Sequence, residues 1–310
     1  MSSRKGNSGF GPVRTVILVL ACGVLGFSLF KLAGFAKGYL ASRKEYTSLA
    51  ESYTQPHKPD GDETETGTPT PAAVPQTPTP TPVPGEPAQP EIIYEDADPP
   101  LTVNWEELRE VNDEITGWLY VDAEPSINYP ICQGEDNDYY LHRTFEKQEL
   151  FAGAIFEDYN NTPDFADPDT IVYGHNMRDG SMFGKLKYMA DKIKDKPYFW
   201  ILTPEGDYRY RIYSIMSTPV DSDVYMLYAE NGPEFLKWEQ KMQSMSEVPC
   251  DIQLLESDKT VVLSTCTSDS DYRRVVIGKC VSSKQPVRKR ATPTPMLPDA
   301  ADYLDDDEWG

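Results

Sequence analysis

The sequence predicts a mainly β protein, organised as a closed eight-stranded β-barrel with an N-terminal helix and a helix in the long connection between two late strands. Two observations predict this fold. About eight short apolar runs follow Gly117, with turn residues between them, and such a series is typical of a closed barrel. Helical patterns occur before the first of these runs and again near residues 233–245.

The first element is an amphipathic helix beginning after Asn104. Asn104 can cap it while Glu107 reaches back, and Trp105, Leu108, Val111 and Ile115 recur at helical spacing. Further helices are predicted at Met182–Ala190 and Pro233–Met245.

The predicted strands are short runs rich in β-branched and aromatic residues. One of them alternates apolar and charged residues, as expected for a sheet with one buried face. The eight runs are Trp118–Val121, Ile127–Cys132, Gly153–Phe156, Thr170–Tyr173, Tyr198–Leu202, Tyr208–Met216, Thr260–Cys266 and Arg273–Val281.

Charge and proline divide the rest of the chain. Residues 37–90 form an acidic Thr/Pro-rich stretch that cannot build a core and predicts an extended spacer, and residues 291–310 predict a disordered acidic tail. The folded domain is therefore predicted at 91–290. The net charge of -21 argues against a nucleic-acid partner, and the five scattered cysteines predict neither a disulfide scaffold nor a metal site.

An uncharged run from Thr15 to Phe30 continues beyond Lys31 and predicts a transmembrane signal anchor over residues 15–36, with residues 1–14 cytoplasmic. A cleaved signal peptide is the alternative. Basic residues flank the run on both sides, so the predicted extracellular position of the domain depends on the spacer that follows. The predicted location is the cell membrane, as a single-pass protein.

Three residue types point to thiol chemistry. Cys266 ends a strongly β-forming run, His175 follows another such run, and Arg273 and Arg274 begin the strand after Cys266. A thiol becomes a nucleophile when a base or cation is near, and both are available if these strands are neighbours. The alternative interpretation of Cys266 is a buried core residue. His142, which follows no strand, is predicted to be structural.

These motifs resemble the sortases, specifically class B. The resemblance covers residues 101–281 and rests on three motifs in order: Tyr173-Gly174-His175-Asn176-Met177, Leu263-Ser264-Thr265-Cys266, and Arg273 to Lys279. It extends to Trp105-Glu106-Glu107-Leu108, Asn128-Tyr129-Pro130 and Asp136 to Leu141.

The resemblance implies a membrane-anchored cysteine transpeptidase of Gram-positive cell surfaces. Such an enzyme cleaves a sorting pentapeptide of surface proteins after Thr, forms a thioester, and transfers the acyl group to an amine of a peptidoglycan precursor or a pilin lysine. It implies Cys266 as nucleophile, His175 as general acid and an arginine as oxyanion ligand, with Gly278 indicating Arg273 rather than Arg274. Ser264 is implied as a substrate contact, and no metal or cofactor is implied.

Several alternatives stay open at this point. A non-enzymatic surface adhesin explains the anchor, the spacer and the acidity equally well. A cysteine peptidase of another family also needs Cys and His, although papain-like enzymes place the nucleophile early and at a helix N-terminus. The choice between Arg273 and Arg274, the recognised pentapeptide, the acceptor and any disulfide are not decided by these residues.

Overall fold

The computed structural model describes residues 12–57, 97–266 and 271–284. Its helices are α1 (Pro12–Tyr53), α2 (Trp105–Val111), α3 (Met189–Lys192) and α4 (Pro233–Ser244), with 3-10 turns at Leu186–Tyr188 and Asp223–Tyr225. Its strands are β1 (Thr54–Pro56), β2 (Leu101–Val103), β3 (Ile115–Val121), β4 (Asn128–Cys132), β5 (Ile155–Glu157), β6 (Asp169–Tyr173), β7 (Tyr198–Leu202), β8 (Asp207–Pro219), β9 (Thr260–Cys266) and β10 (Tyr272–Lys284).

Strands β3 to β10 close into one barrel in the order β10-β8-β7-β3-β4-β5-β6-β9. The pairs β4·β5 and β6·β9 are parallel and the others are antiparallel. Each of the eight predicted runs overlaps one barrel strand, so the predicted fold class is confirmed. β1 and β2 form a separate two-stranded sheet that sequence analysis did not predict.

The alternation of side chains along β9 and β10 divides the core in two. Leu263 and Val276 belong to the larger cluster, which draws on most of the barrel strands. Residues on the opposite face pack under α4, and we call this group the α4 cluster. It includes Tyr213, Met216, Phe235, Trp238, Met242, Val262, Val275 and Ile277. The helix in the β8–β9 connection, predicted at Pro233–Met245, is confirmed as α4 and covers the sheet here.

Gly278 of β10 lies where the Phe199 ring crosses the strand. A Cβ atom built on Gly278 would lie 2.4 Å from the Phe199 Cε1 atom, which is too close for any larger residue without rearrangement. Phe199 in turn stacks on Tyr210, with ring centroids 5.1 Å apart. The glycine that sequence analysis used to choose Arg273 therefore has a packing reason for being small.

The helix at Trp105 begins as predicted but is shorter. The Asn104 side chain accepts a hydrogen bond from the Glu107 backbone N–H at 3.4 Å and donates one to the Glu107 carboxylate at 2.8 Å. α2 ends at Val111, which is exposed, and Ile115 belongs to β3 instead.

The helix predicted at Met182–Ala190 is largely a turn. Met182 has a φ of 52° and forms an isolated β-bridge with Asn176, so the chain reverses there. Helical structure starts only with the 3-10 turn at Leu186 and continues as the one-turn helix α3.

Helix α1 departs from the predicted anchor and spacer. In the part of the chain that the structure describes, none of the helices contains an apolar stretch of the length that a membrane span requires. The uncharged run from Thr15 to Phe30 is shorter than the ~20 residues that a span requires, and Lys31 interrupts it. The predicted transmembrane anchor, and with it the location as a single-pass membrane protein, is therefore wrong.

The end of α1 is part of the folded unit. Tyr46 and Leu49 are buried, and the Tyr46 ring contacts the Tyr129 ring edge-on with centroids 5.6 Å apart. The strand after α1 pairs with Leu101–Val103. The beginning of the stretch predicted as spacer is thus helix and strand, while most of the remaining spacer and the tail predicted at 291–310 lie outside the described residues.

Candidate active site

The strand pairing brings the predicted site residues to one end of the barrel. β6 and β9 are parallel neighbours, with Tyr173 opposite Ser264, and the Gly174 backbone N–H donates to the Ser264 carbonyl at 3.2 Å. His175 is the next residue along the chain, and Cys266 is the last residue of β9. Because the carboxyl ends of parallel neighbours meet at one edge of a sheet, the backbones of His175 and Cys266 lie at the same edge.

Arg273 lies directly opposite Cys266 in the antiparallel pair β9·β10, and Arg274 lies opposite Thr265. Opposite positions of such a pair share one face of the sheet, whereas adjacent residues on a strand face opposite ways. Arg273 and Cys266 therefore occupy positions on one face, and Arg274 points to the other.

The two arginines also differ in their contacts. Arg274 is buried and forms an ion pair with Glu247 at 2.5 Å and a hydrogen bond to the Ser217 hydroxyl at 3.2 Å. Arg273 is only partly buried, and its guanidinium donates to the Tyr272 carbonyl at 3.0 Å. Arg274 is thus held by a structural ion pair.

Residues of the loop between β4 and β5 surround His175. Its Nε2 atom lies 2.8 Å from the Leu141 carbonyl oxygen, and the Phe151 ring stacks on the imidazole with centroids 5.7 Å apart and planes at 16°. The His142 ring lies 6.1 Å away. Burial lowers the pKa of His175 below its usual 6.5, the Leu141 carbonyl opposes that shift, and neighbouring His142 adds to it. The neutral imidazole is therefore favoured at neutral pH.

Ser264 is buried, and its hydroxyl lies 2.9 Å from the Tyr225 hydroxyl. Tyr225 belongs to the 3-10 turn Asp223–Tyr225, which the Trp238 indole of α4 holds through a 2.8 Å hydrogen bond to the Asp223 carbonyl. α4 therefore supports the turn that reaches the face of β9 on which Ser264 lies.

A polar network supports the end of β6. The Tyr173 hydroxyl and the Asn137 amide each donate to the same oxygen of Asp158 at 2.9 Å. Asp158 is also bonded to the Asn160 backbone, which closes the turn after β5. This network fixes the strand end that carries His175 into the site.

Two residues near the site, Phe151 and Tyr225, escaped sequence analysis, and Leu141 entered it only as the end of a motif, without a role at the site. Each lies in a connection rather than a strand, and Leu141 contributes a backbone carbonyl that any residue type would supply. His142, predicted to be structural, contacts the His175 ring. The adjacency of His142 to the motif residue Leu141 was the only sequence signal for this contact.

The other described cysteines are poor candidates for a nucleophile. Cys132 is fully buried, and burial raises the pKa of its thiol. Burial also raises the pKa of Cys280 to about 11 and that of Cys250 above its usual value. Cys22 is exposed on α1, far along the chain from the barrel. Among the described residues, no group of three His, Cys, Asp or Glu could hold a metal ion.

Comparison with known proteins identifies the family. The model of the sortase domain matches residues 121–281. Sortase B of Listeria monocytogenes serovar 1/2a is 36% identical over 183 residues, which are 57% of this chain and 73% of that protein. The chain belongs to the sortase family, class B. It is therefore a transpeptidase of the cell-surface type, and the adhesin alternative is set aside.

Solved sortase B structures share the fold. The crystal structure of sortase B from B. anthracis is 34% identical and superposes with a TM-score of 0.52 over 57% of this chain and 84% of the other. A Staphylococcus aureus sortase B–substrate complex is 27% identical, with a TM-score of 0.53 over 57% and 84% of the two chains. The part of this chain that matches the sortase domain, residues 121–281, thus includes Cys266, His175 and Arg273.

Proposed function

We propose that this sortase cleaves a sorting pentapeptide after Thr through a thioester on Cys266 and passes the acyl group to an amine. The observation that carries the proposal is the meeting of β6, β9 and β10 at one edge, with Arg273 opposite Cys266 and His175 at the neighbouring strand end. Family membership supplies the reaction class. The strand register supports the assignment of Cys266, His175 and Arg273 to the site.

The chemistry is a balanced acyl transfer. The Cys266 thiolate attacks the Thr carbonyl carbon, the C–N bond to the next residue breaks, and His175 as imidazolium gives its proton to the leaving amine. An incoming amine then attacks the thioester, returns a proton to His175 and expels the thiolate. Arg273 donates to the oxyanion that forms in each half-reaction. No electron is gained or lost.

The low pKa of His175 sets a condition on this mechanism. Its imidazole is mainly neutral at neutral pH, so only a minority of molecules hold the thiolate and the imidazolium together. The Arg273 position opposite Cys266 favours the thiolate in that minority, because a nearby guanidinium lowers the pKa of a thiol.

The proposed substrates follow from the resemblance of the chain to class B sortases. The donor is a surface protein with a sorting pentapeptide, and the acceptor is an amine of a peptidoglycan precursor or a pilin lysine. Ser264 is proposed as a substrate contact because it lies two residues before Cys266 and therefore on the same face of β9. Its hydroxyl contact with Tyr225 supports a role for the turn Asp223–Tyr225 beside the same substrate contact.

The test is turnover of fluorogenic pentapeptides that contain Thr, with a peptide α-amine (triglycine) or a lysine ε-amine (Nα-acetyl-lysine amide) as acceptor. We expect cleavage after Thr, a product joined to the acceptor, and loss of both in Cys266→Ala with an unchanged melting temperature. Cleavage by the folded Cys266→Ala variant would refute the nucleophile. Release of free acid with neither acceptor incorporated would instead indicate a hydrolytic cysteine peptidase.

A substrate-independent control uses a cationic methanethiosulfonate and mass mapping of the labelled cysteines. We expect Cys266 to be modified in the folded protein and Cys132 to be protected by its burial. Exposed Cys22 serves as the internal standard for an unhindered thiol. Protection of Cys266 to the degree of Cys132 would contradict its role.

A further inference from the structure

The loop between β4 and β5 forms a clasp beside His175, and we call residues 139–154 the clasp loop. Three backbone hydrogen bonds close it: Leu150 N–H to His142 O at 2.9 Å, Gly153 N–H to Leu150 O at 3.0 Å, and Ala154 N–H to Tyr140 O at 2.9 Å. The Leu141 carbonyl lies inside this bonded stretch, so its oxygen has a defined position.

Gly153 brings the two sides of the clasp loop close together. Its φ is 58°, in the left-handed region that favours glycine, and a Cβ atom there would lie 2.4 Å from the Leu141 oxygen. The Tyr46 hydroxyl of α1 donates to the Gly153 carbonyl. The loop backbone is therefore packed against the same carbonyl that contacts His175.

The Leu141 carbonyl constrains the histidine proton. A carbonyl oxygen only accepts hydrogen bonds, so Nε2, at 2.8 Å from it, must carry a hydrogen. In the neutral ring the other nitrogen, Nδ1, is then an unprotonated acceptor. The opposite tautomer would leave two lone pairs facing each other in a partly buried contact.

Phe151 fixes the plane of the ring. It stacks on the imidazole at 16°, yet its own side chain is 62% exposed, so burial of Phe151 does not explain the contact. It also borders an open hollow of about 400 Å³ together with His142, Arg143, Glu149 and Leu150. His142 is the titratable group of this loop that acts on His175, and it lowers the pKa of His175.

We infer that the Leu141 carbonyl and the Phe151 ring are positioning groups that hold His175 as the Nε2–H tautomer, so that Nδ1 is the nitrogen that exchanges protons with Cys266 and with the leaving and incoming amines. The inference rests on the proposed function, because it assigns atoms to the acid–base role of His175. The proton that Nδ1 takes up in one half-reaction is the proton it releases in the other.

The first test reads the tautomer without activity. Full-length Cys266→Ala protein with ¹⁵N-labelled histidine is studied by long-range ¹H–¹⁵N NMR at alkaline pH, and His57→Gln and His142→Gln variants assign the signals. We expect His175 to show a protonated Nε2 and an unprotonated Nδ1. A protonated Nδ1, or the same rapidly exchanging mixture as exposed His142, would overturn the inference.

The second test separates positioning from folding. We expect Phe151→Leu to lower kcat about 10- to 100-fold with KM within about twofold, since a misplaced catalytic group costs rate more than binding. Its His175 pKa should rise toward 6.5 because the ring is less shielded from water. Phe151→Tyr, which keeps the stacked ring, should restore both values.

Tyr188→Leu is the matched control, because Tyr188 is similarly exposed and lies on the 3-10 turn before α3. We expect the Tyr188→Leu variant to keep the kcat and the His175 pKa of the wild-type protein. A rise in KM for Phe151→Leu with no change in the His175 pKa would overturn the inference and make Phe151 a substrate contact. Full turnover by His175→Gln would overturn the acid–base role itself. If His175→Gln is inactive but NMR of the Cys266→Ala protein shows His175 protonated on Nδ1, only the inference about the tautomer is overturned.

Discussion

The two arginines at the start of β10 contact different partners, and their alanine variants should therefore fail in different ways. Arg273→Ala removes a donor opposite Cys266, and we expect turnover to fall about 100- to 1,000-fold with the free energy of unfolding changed by less than about 0.5 kcal/mol. Arg274→Ala removes a buried side chain and its ion pair with Glu247, and we expect a loss of about 1–3 kcal/mol in unfolding free energy.

The measurements are peptide turnover and urea denaturation of each purified variant. Glu247→Gln provides a control for Arg274→Ala, because it removes the same ion pair by changing the half-exposed partner. We expect it to lower the free energy of unfolding by less than Arg274→Ala does. A nearly normal Arg273→Ala together with a stable but inactive Arg274→Ala would transfer the oxyanion role to Arg274.

At the scale of elements, α4 packs on the barrel and supports the turn that contacts Ser264. Trp238 is 3% exposed, packs in the α4 cluster and holds the turn that carries Tyr225. We expect Trp238→Ala to lower the free energy of unfolding by about 3–5 kcal/mol, the usual cost of a buried Trp, and to raise KM because Tyr225 loses its support. Chemical denaturation and peptide kinetics measure the two effects.

Gln240→Ala is the matched variant, because Gln240 lies on the same helix with an exposed side chain, and its expected cost is less than about 0.5 kcal/mol. If Trp238→Ala is as stable as Gln240→Ala, the packing of α4 on the sheet is not as described. If only stability changes and KM does not, α4 supports the fold without contributing to substrate binding.

At the scale of the whole molecule, buried carboxyl groups make stability depend on pH. Burial raises the pKa of Glu239 to about 8, that of Asp169 to about 7, and that of Glu157 well above its usual range. The folded chain keeps protons that the unfolded chain releases above about pH 4–5. Stability is therefore complete below that range and is lost as pH rises through about 7 and 8.

We expect the melting temperature to fall steadily between pH 6 and pH 9 in differential scanning calorimetry. His175 contributes in the opposite sense but at lower pH, because its lowered pKa costs stability only as pH falls below 6.5. Glu239→Gln replaces the buried acid with a neutral isostere and should flatten the decline. A melting temperature that rises from pH 6 to pH 9 would contradict the assigned protonation of these carboxyls.

Local sequence patterns were sufficient to predict an element wherever residues close together in the chain determine its structure. All eight barrel strands were predicted because each carries its own run of β-forming residues, and α4 was predicted as a helical stretch in the long connection between two late strands. The Met182–Ala190 helix was not predictable by the same means, because the turn there depends on the pairing of Met182 with Asn176. The anchor prediction failed because the uncharged run is short and Lys31 interrupts it.

The sequence by itself determined the barrel class, the family resemblance and the identity of Cys266, His175 and the arginine pair as candidates, because these are properties of residue types in order along the chain. Only the tertiary structure decided which strands are neighbours, that Arg273 lies opposite Cys266, and that Arg274 forms an ion pair with Glu247. It also revealed the Leu141 carbonyl and Phe151 beside His175. A backbone carbonyl carries no residue signature, and a loop contact across 34 residues forms only when the barrel closes.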